Sequence, residues 1–376
     1  MGVLLASYWF FRAWCPGALH LGFTGLGQYV WCAIRLPNPT EFAINQNAAS
    51  PQMPDNTPSK DTKILTADPA GLTRAAQLLQ AGELVSFATE TVYGLGADAR
   101  QGEAVAAIYA AKGRPSFNPL IVHAASAEAA QRYVLWNGWA EVLAQAFWPG
   151  PLTLVLPLRP KHGISGLVTA GLETLAVRVP AQPSAQRLLQ IFDGPVAAPS
   201  ANPSGRISPT LASHVFAGLN GRIAAIVDDG ACGVGLESTI VGLAGEAPIL
   251  LRPGGLAAEE IEEALGQPLR QRDVQDPLTA PGQLLSHYAP NEQVRLNAAA
   301  ARNGEVFLGF GAHQGSGPED LNLSPDGKLT EAAAHLFDYL HQLDGLGRPI
   351  AVAPIPDEGL GAAINDRLAR AAAPRD

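Results

Sequence analysis

Lys112-Gly113-Arg114-Pro115-Ser116-Phe117-Asn118-Pro119-Leu120-Ile121-Val122-His123 is the stretch from which the rest of this 376-residue chain is best read. It sets two cations, an amide and an imidazole around one proline-punctuated turn that enters an apolar strand. A second polar loop, Pro199-Ser200-Ala201-Asn202-Pro203-Ser204-Gly205-Arg206, follows another apolar run. Two polar loops at the ends of buried strands suit a nucleotide or phosphate pocket in an α/β sheet. Arg and Lys supply charge-assisted bonds to phosphate oxygens. Ser, Asn and exposed backbone N–H groups complete an anion-binding concavity.

The flanking sequence predicts such a sheet. Asp68-Pro69 followed by Leu72, Ala75, Ala76 and Leu79 reads as an amphipathic helix, capped by Asp68 and ended by Gly82. Strand-like runs lie at 84–88, 120–122, 152–156, 175–179, 195–198, 223–227 and 238–241. Helical segments fall around 127–135, 184–192, 211–219 and 257–265. The alternation predicts an α/β sheet, and the short intervals within 152–179 predict some antiparallel pairs. Residues 267–292 lack periodicity and read as a linker or lid. A smaller α/β unit over 293–376 has strands at 306–310 and 350–353, a helix at 329–343 and a flexible loop at 311–327. Tyr93-Gly94-Leu95-Gly96-Ala97-Asp98-Ala99 imitates a dinucleotide fingerprint. The acidic residue that this needs about 20 positions on is replaced by Asn118-Pro119-Leu120, so the glycines are read as tight-turn residues beside a ligand.

Several further segments share one origin: Thr89-Glu90-Thr91-Val92-Tyr93-Gly94-Leu95, Trp148-Pro149-Gly150-Pro151-Leu152-Thr153, Val177-Arg178-Val179-Pro180, Glu237-Ser238-Thr239-Ile240-Val241, Leu251-Arg252-Pro253-Gly254, Ser286-His287-Tyr288-Ala289-Pro290 and Ala363-Ile364-Asn365-Asp366-Arg367-Leu368. In this order, from about residue 62 onward, the chain resembles the YrdC-like family of threonylcarbamoyl-adenylate synthases in its long, two-domain form. The resemblance implies an open twisted mixed sheet with helices over 62–266, followed by a smaller Rossmann-like α/β domain. It implies condensation of L-threonine, bicarbonate or carbon dioxide, and ATP to threonylcarbamoyl-AMP and pyrophosphate. Mg2+ would accompany the nucleotide, with no protein ligand assigned. The product would pass to a transferase complex that modifies the tRNA adenosine next to the anticodon.

Residue by residue, the resemblance places Lys112 and Arg114 at the ATP phosphates, as the catalytic pair. Asn118, Thr174, Ser200, Asn202, Ser208, Arg252 and Tyr288 fall on the nucleotide side, with Tyr288 in the lid. Thr91, His123, Arg178, Ala198 and Ser238 fall at the threonine. The residues alone leave plainer readings open. Lys112 and Arg114 suit a helix end, Ser200 and Asn202 suit turn caps, and Tyr288 suits packing between domains. Arg178 is the exception: within Leu175-Ala176-Val177-Arg178-Val179 it must be paired or lie at a site, and a ligand carboxylate is the natural partner.

A net charge of −9 disfavours a protein that grips nucleic acid by itself and leaves at most a weak tRNA or double-stranded RNA contact. This counts against the alternative of an RNA-binding module. A carbamoyl-transfer domain of the hydrogenase-maturation type would carry zinc-finger cysteines and an acylphosphatase segment, which are not found. Cys15, Cys32 and Cys232 lack metal or disulfide spacing, which fits a cytoplasmic protein, and Cys232 reads as structural. No apolar run reaches bilayer length, so no membrane role is expected. Residues 1–61 depart from the family and are read as a disordered extension or a mis-assigned start, with Met53 as the alternative start. The C-terminal domain is expected to be short.

Overall fold

The computed structural model describes residues 61–272 and 288–374. The expectations for residues 1–60, and for 273–287 of the linker, lie outside the described residues. The large sheet has eleven strands. In chain order they are β1 (Lys63–Thr66), β2 (Val85–Phe87), β3 (Gly94–Asp98), β4 (Ile121–His123), β5 (Leu152–Pro157), β6 (Thr174–Arg178), β7 (Val196–Ala197), β8 (Ala225–Asp228), β9 (Thr239–Gly242), β10 (Ile249–Arg252) and β11 (Arg270–Gln271). Their spatial order is β1-β8-β2-β3-β7-β4-β6-β5-β9-β10-β11. Parallel and antiparallel neighbours mix, and β5 pairs antiparallel with β6 as the short interval predicts.

Local chemistry explains the elements. The Asp68 side chain accepts from the Gly71 N–H at 2.8 Å and Pro69 opens the helix Pro69–Gln80, which buries Leu72, Ala75, Ala76 and Leu79. β2, β4 and β7 are buried along their whole length, so even Ser86 in β2 and His123 in β4 are enclosed rather than turned to solvent. Gly94 and Gly96 do not make the tight turn expected of them. They lie in β3, antiparallel to β2, where a Cβ on Gly96 would stand 2.9 Å from the Phe87 ring and 3.1 Å from Val196. The glycine pattern therefore serves close packing within the sheet, and Gly94 also borders the cavity described below.

The second sheet holds four parallel strands, β12 (Val294–Arg295), β13 (Val306–Gly309), β14 (Leu321–Asn322) and β15 (Ile350–Val352), in the order β12-β15-β13-β14. β14 falls inside the expected loop 311–327: two residues are too short to show a period. Helices Leu329–Asp344 and Leu360–Ala371 belong to this unit. Its core of Phe307, Phe337, Leu336, Leu340 and Ile364 is continuous with Val92, Ile207, Leu236 and Tyr288 of the preceding region.

Candidate active site

Topology brings the two polar loops together. β4 and β7 run antiparallel, with Val122 opposite Ala197, and the Ala198 N–H donates to the Ile121 carbonyl at 2.9 Å. The start of β4, preceded by the Arg114–Pro119 turn, thus lies beside the end of β7, followed by the Pro199–Arg206 loop. On the other side β4 pairs parallel with β6, which sets His123 level with Arg178. Between Leu250 and Arg252 the β9–β10 register shifts. Such bulges re-aim side chains beside sites, and Arg252 is buried here.

Nine of the expected residues border one cavity: Thr91, Arg114, His123, Arg178, Ala198, Ser200, Ser238, Arg252 and Tyr288. Thr89, Glu237 and Gly94 also border it. Three of its walls carry arginines from three elements. Arg114 donates to the carbonyls of Asn118 (3.3 Å) and Pro119 (3.0 Å), so its guanidinium braces its own turn. Burial pulls it down to about 10, still a cation at neutral pH. Arg252 donates to the Ser238 carbonyl at 2.7 Å. Arg178 donates through Nε to the Gly150 carbonyl at 3.3 Å and through Nη2 to Glu90 at 2.6 Å. The partner expected from a ligand is thus met in part by Glu90, whose second oxygen accepts from the Ala181 N–H at 2.9 Å.

His123 is buried and held down to about 3, by burial first and by the Arg178 charge second, so it is neutral at pH 7. Its Nδ1 has no protein partner among the described residues. A buried ring nitrogen without a partner is an orphan that a ligand N–H or O–H can satisfy. Thr91 bonds Thr89 at 2.8 Å, and the Ser238 hydroxyl bonds Thr153 at 2.7 Å.

Five expected residues do not border this cavity. Lys112 is 3% exposed, and its ammonium donates to the carbonyls of Ser200, at 2.6 Å, and of Asn202. It lies beneath the loop and holds it in shape. Burial, and then Arg114, depress its pKa well below the usual lysine value. Asn202 ties Pro203 and Arg206 through its Nδ2 at 3.0 and 2.8 Å, while its Oδ1 is buried without a partner among the described residues. Asn118 offers its carbonyl to Arg114 and Tyr109. The fully buried Ser208 hydroxyl donates to Glu237 at 2.5 Å. Thr174 borders a separate hollow with Val155, Gly242, Ile249 and Leu251. Cys232 is buried and pushed up to about 12 by burial, an inert thiol as expected.

Sequence reasoning missed the acidic partners Glu90 and Glu237, and Arg367, which bonds Glu237 at 2.8 Å from the second sheet's region. The available signal was the helical spacing of Leu360, Ala363, Ile364, Arg367, Leu368 and Ala371, which puts an arginine on a core face.

A mixed sheet with three buried arginines around one half-open cavity is an arrangement suited to a polyanionic small molecule. Comparison with known proteins narrows this class. Residues 77–254 match the family model Sua5_yciO_yrdC, described as "Telomere recombination", and residues 256–373 match "Threonylcarbamoyl-AMP synthase, C-terminal domain". The threonylcarbamoyl-AMP synthase of Bacillus subtilis is 41% identical over 336 residues, covering 83% of this chain and 96% of the relative. That of Pyrococcus abyssi is also 41% identical, over 79% of this chain and 92% of the relative. The crystal structure of P. abyssi Sua5 complexed with L-threonine superposes with a TM-score of 0.76 at 38% identity, covering 83% of this chain and 98% of that one. This chain belongs to the threonylcarbamoyl-AMP synthase family, in its two-domain form.

Proposed function

We propose that the chain is an L-threonylcarbamoyladenylate synthase serving threonylcarbamoyl modification of the tRNA adenosine next to the anticodon. The observation that carries this reading is the meeting of Arg114, Arg178 and Arg252 in one cavity of a protein whose net charge is −9. Two acidic side chains stand near them, Glu90 and Glu237, and each is already engaged by an arginine. The local excess of positive charge calls for an anionic ligand, and one carboxylate plus a polyphosphate supplies it.

The reaction is a nucleotidyl transfer. The threonine amine, having lost a proton, adds to the carbon of carbon dioxide, or to bicarbonate with loss of water. A carboxylate oxygen of the resulting N-carboxy group attacks the α-phosphorus of ATP. The bond from that phosphorus to the bridging oxygen breaks, and pyrophosphate leaves. No nucleophilic side chain is required, so the protein's work is positioning and charge stabilisation. Arg178, Thr91, Ala198 and Ser238 hold the threonine in this reading. Neutral His123 accepts a hydrogen bond from it. Arg114 and Arg252 face the phosphates, with Ser200, Asn118, Asn202, Ser208, Thr174 and Tyr288 on the nucleotide side. Lys112 acts one step back, by fixing the loop that carries Ser200. Mg2+ arrives with ATP and takes the phosphates as its main ligands. The product, a mixed anhydride, passes to a tRNA-modifying transferase complex.

The test is pyrophosphate release by the full chain with ATP, magnesium, bicarbonate and L-threonine. Release should need threonine and bicarbonate together, fall sharply with serine, and drop about 100- to 1000-fold in Arg114→Ala, as when a preorganised charge donor is removed. No threonine-dependent release from folded protein overturns the reading.

A further inference from the structure

The motif Asn365-Asp366-Arg367-Leu368 has no place in the chemistry above, yet it holds the largest fully buried side chain among the described residues. Arg367 lies on the helix Leu360–Ala371, and its side chain is 0% exposed. All three of its nitrogens are used. Nε donates to Glu237 Oε2 at 2.8 Å, Nη1 to Asp366 at 2.6 Å, and Nη2 to the Pro253 carbonyl at 2.9 Å. Its guanidinium carbon stands 5.1 Å from the centre of the Tyr288 ring. Arg367 does not border the cavity, but Glu237, Tyr288 and the Arg252 that precedes Pro253 do.

Glu237 is the residue that needs control. It is a carboxylate at the wall of a cavity built for anions. Burial pushes its pKa up, but the charges of Arg367 and then Arg252 outweigh this and hold it below its usual range, so it is ionised. Arg252 therefore stands within the field of the same carboxylate that Arg367 engages. One Glu237 oxygen is taken by Ser208 at 2.5 Å and the other by Arg367. If Arg367 is removed, an ionised oxygen is left unanswered, and Arg252 is the other cation whose charge acts on it.

We propose that Arg367 is a positioning residue for the nucleotide, supplied by the second domain: it occupies Glu237 and thereby keeps Arg252 directed to the phosphates of ATP. The inference rests on the synthase reading for the identity of the anion. It predicts that the second domain is needed for tight ATP binding even though it brings few side chains to the cavity. It also predicts an asymmetry, because among the described residues Arg178 and His123 on the threonine side make no contact with Arg367, and Arg252 touches that side only at Ser238.

The experiment measures ATP·Mg and L-threonine binding separately by calorimetry, then steady-state KM and kcat for each, in the full-length chain. In Arg367→Met, ATP affinity should fall at least tenfold and threonine affinity less than twofold. In Arg367→Met/Glu237→Gln, where the unanswered carboxylate is gone, ATP affinity should return to within threefold of the parent. Arg367→Lys keeps the charge but cannot make three directed bonds, and should weaken ATP about fivefold. If Arg367→Met does not fold, the double variant and Arg367→Lys carry the test. A purely structural role predicts that both substrates weaken together, in step with the loss of thermal stability. That result overturns the proposal, as does parental ATP affinity in Arg367→Lys or failure of the double variant to recover it. Parental protein that binds ATP but shows no threonine-dependent pyrophosphate release would sink the synthase reading alone, since the ATP arm still reports on Arg367.

Discussion

Two arginine–glutamate pairs stand at the cavity, and they are built alike but used differently. Glu90 opens Glu90-Thr91, and Glu237 opens Glu237-Ser238; in each pair the residue after the glutamate borders the cavity. Arg178 answers Glu90 at 2.6 Å, and Arg367 answers Glu237 at 2.8 Å. Arg178 itself borders the cavity and commits two of its three nitrogens to the protein. Arg367 stands behind the wall and commits all three. The first pair leaves an arginine with capacity for a ligand. The second spends its arginine entirely on a carboxylate that would otherwise oppose the ligand. Burial and pairing alone do not separate a binding arginine from a positioning one. What separates them is which guanidinium nitrogens are left over and whether the cavity reaches them.

The strongest way to break this comparison is to remove each arginine and then neutralise its glutamate. Arg178→Ala should raise the threonine KM at least about 100-fold, a loss of the size expected when a charge-assisted bidentate contact disappears. It should also destabilise the fold by about 1.5–3 kcal/mol, the size of one lost charge-assisted hydrogen bond, because half-buried Glu90 keeps only the Ala181 N–H. Adding Glu90→Gln should recover most of the stability and none of the threonine affinity, whereas the equivalent double change at Arg367 recovers ligand binding. Thermal melts and threonine titrations of both doubles decide it: recovery of threonine binding in Arg178→Ala/Glu90→Gln would make the two pairs equivalent.

A smaller effect tests whether the Glu237 wall has slack. A Cβ on Gly254 would stand 2.3 Å from the Glu237 carbonyl oxygen and 2.5 Å from the Thr239 nitrogen, both backbone atoms that cannot swing away. Gly254→Ala should cost about 1–3 kcal/mol of stability and weaken ATP more than threonine, since it forces Glu237 away from Arg252-Pro253. Gly245→Ala, in the nearby turn between β9 and β10 with open space at its Cβ, is the control and should be neutral. Equal effects on both substrates would show that the wall moves as one rigid piece with the threonine side.

Much of this arrangement is legible before any coordinates. The polar turn at Lys112–His123 and the loop at Pro199–Arg206 each follow local rules, and alternation of strands and helices predicts the sheet that joins them. Arg178 announces itself as a charge in an apolar strand. What the chain does not announce is pairing at a distance. Glu237 and Arg367 are 130 positions apart, and Arg178 and Glu90 are 88 apart. Nothing in the local spacing distinguishes these glutamates from solvent-facing ones. Lys112 shows the same limit from the other side: its chemistry suits phosphate, and only the folded loop shows that its ammonium also bonds two carbonyls. The fingerprint-like glycines of β3 mislead for a similar reason, since glycine marks close approach without saying to what.

The least expected juxtaposition is also the one whose consequence is smallest at neutral pH. His214, on the helix Ala212–Leu219, and His341, on Leu329–Asp344, stack with ring centroids 3.9 Å apart where the second domain meets the first. His341 bonds the Ser208 carbonyl at 3.2 Å, and His214 lies 3.4 Å from Asp338. Burial holds both down to about 4, and for His341 the neighbouring His214 adds to the effect. The unfolded chain, with histidines near 6.5, therefore binds these protons more readily than the folded one. Their neutral forms contribute full stability above about pH 6.5, and that contribution is lost as pH falls toward 4. At pH 5 the loss is on the order of 2 kcal/mol for His341, from 1.36 kcal/mol per pH unit, and less for the more exposed His214, where solvent screens the charge. Because Ser208 also bonds Glu237, acid should loosen the Arg367 side of the cavity before the Arg178 side. Urea unfolding at pH 7.5 and 5.0 checks the first point: His341→Phe should flatten the pH dependence by about one proton's worth. ATP and threonine titrations at pH 5.5 check the second, and ATP affinity should fall first. A parental pH profile in His341→Phe, or parallel loss of both ligands, would show that the histidine stack does not couple docking of the second domain to the nucleotide wall.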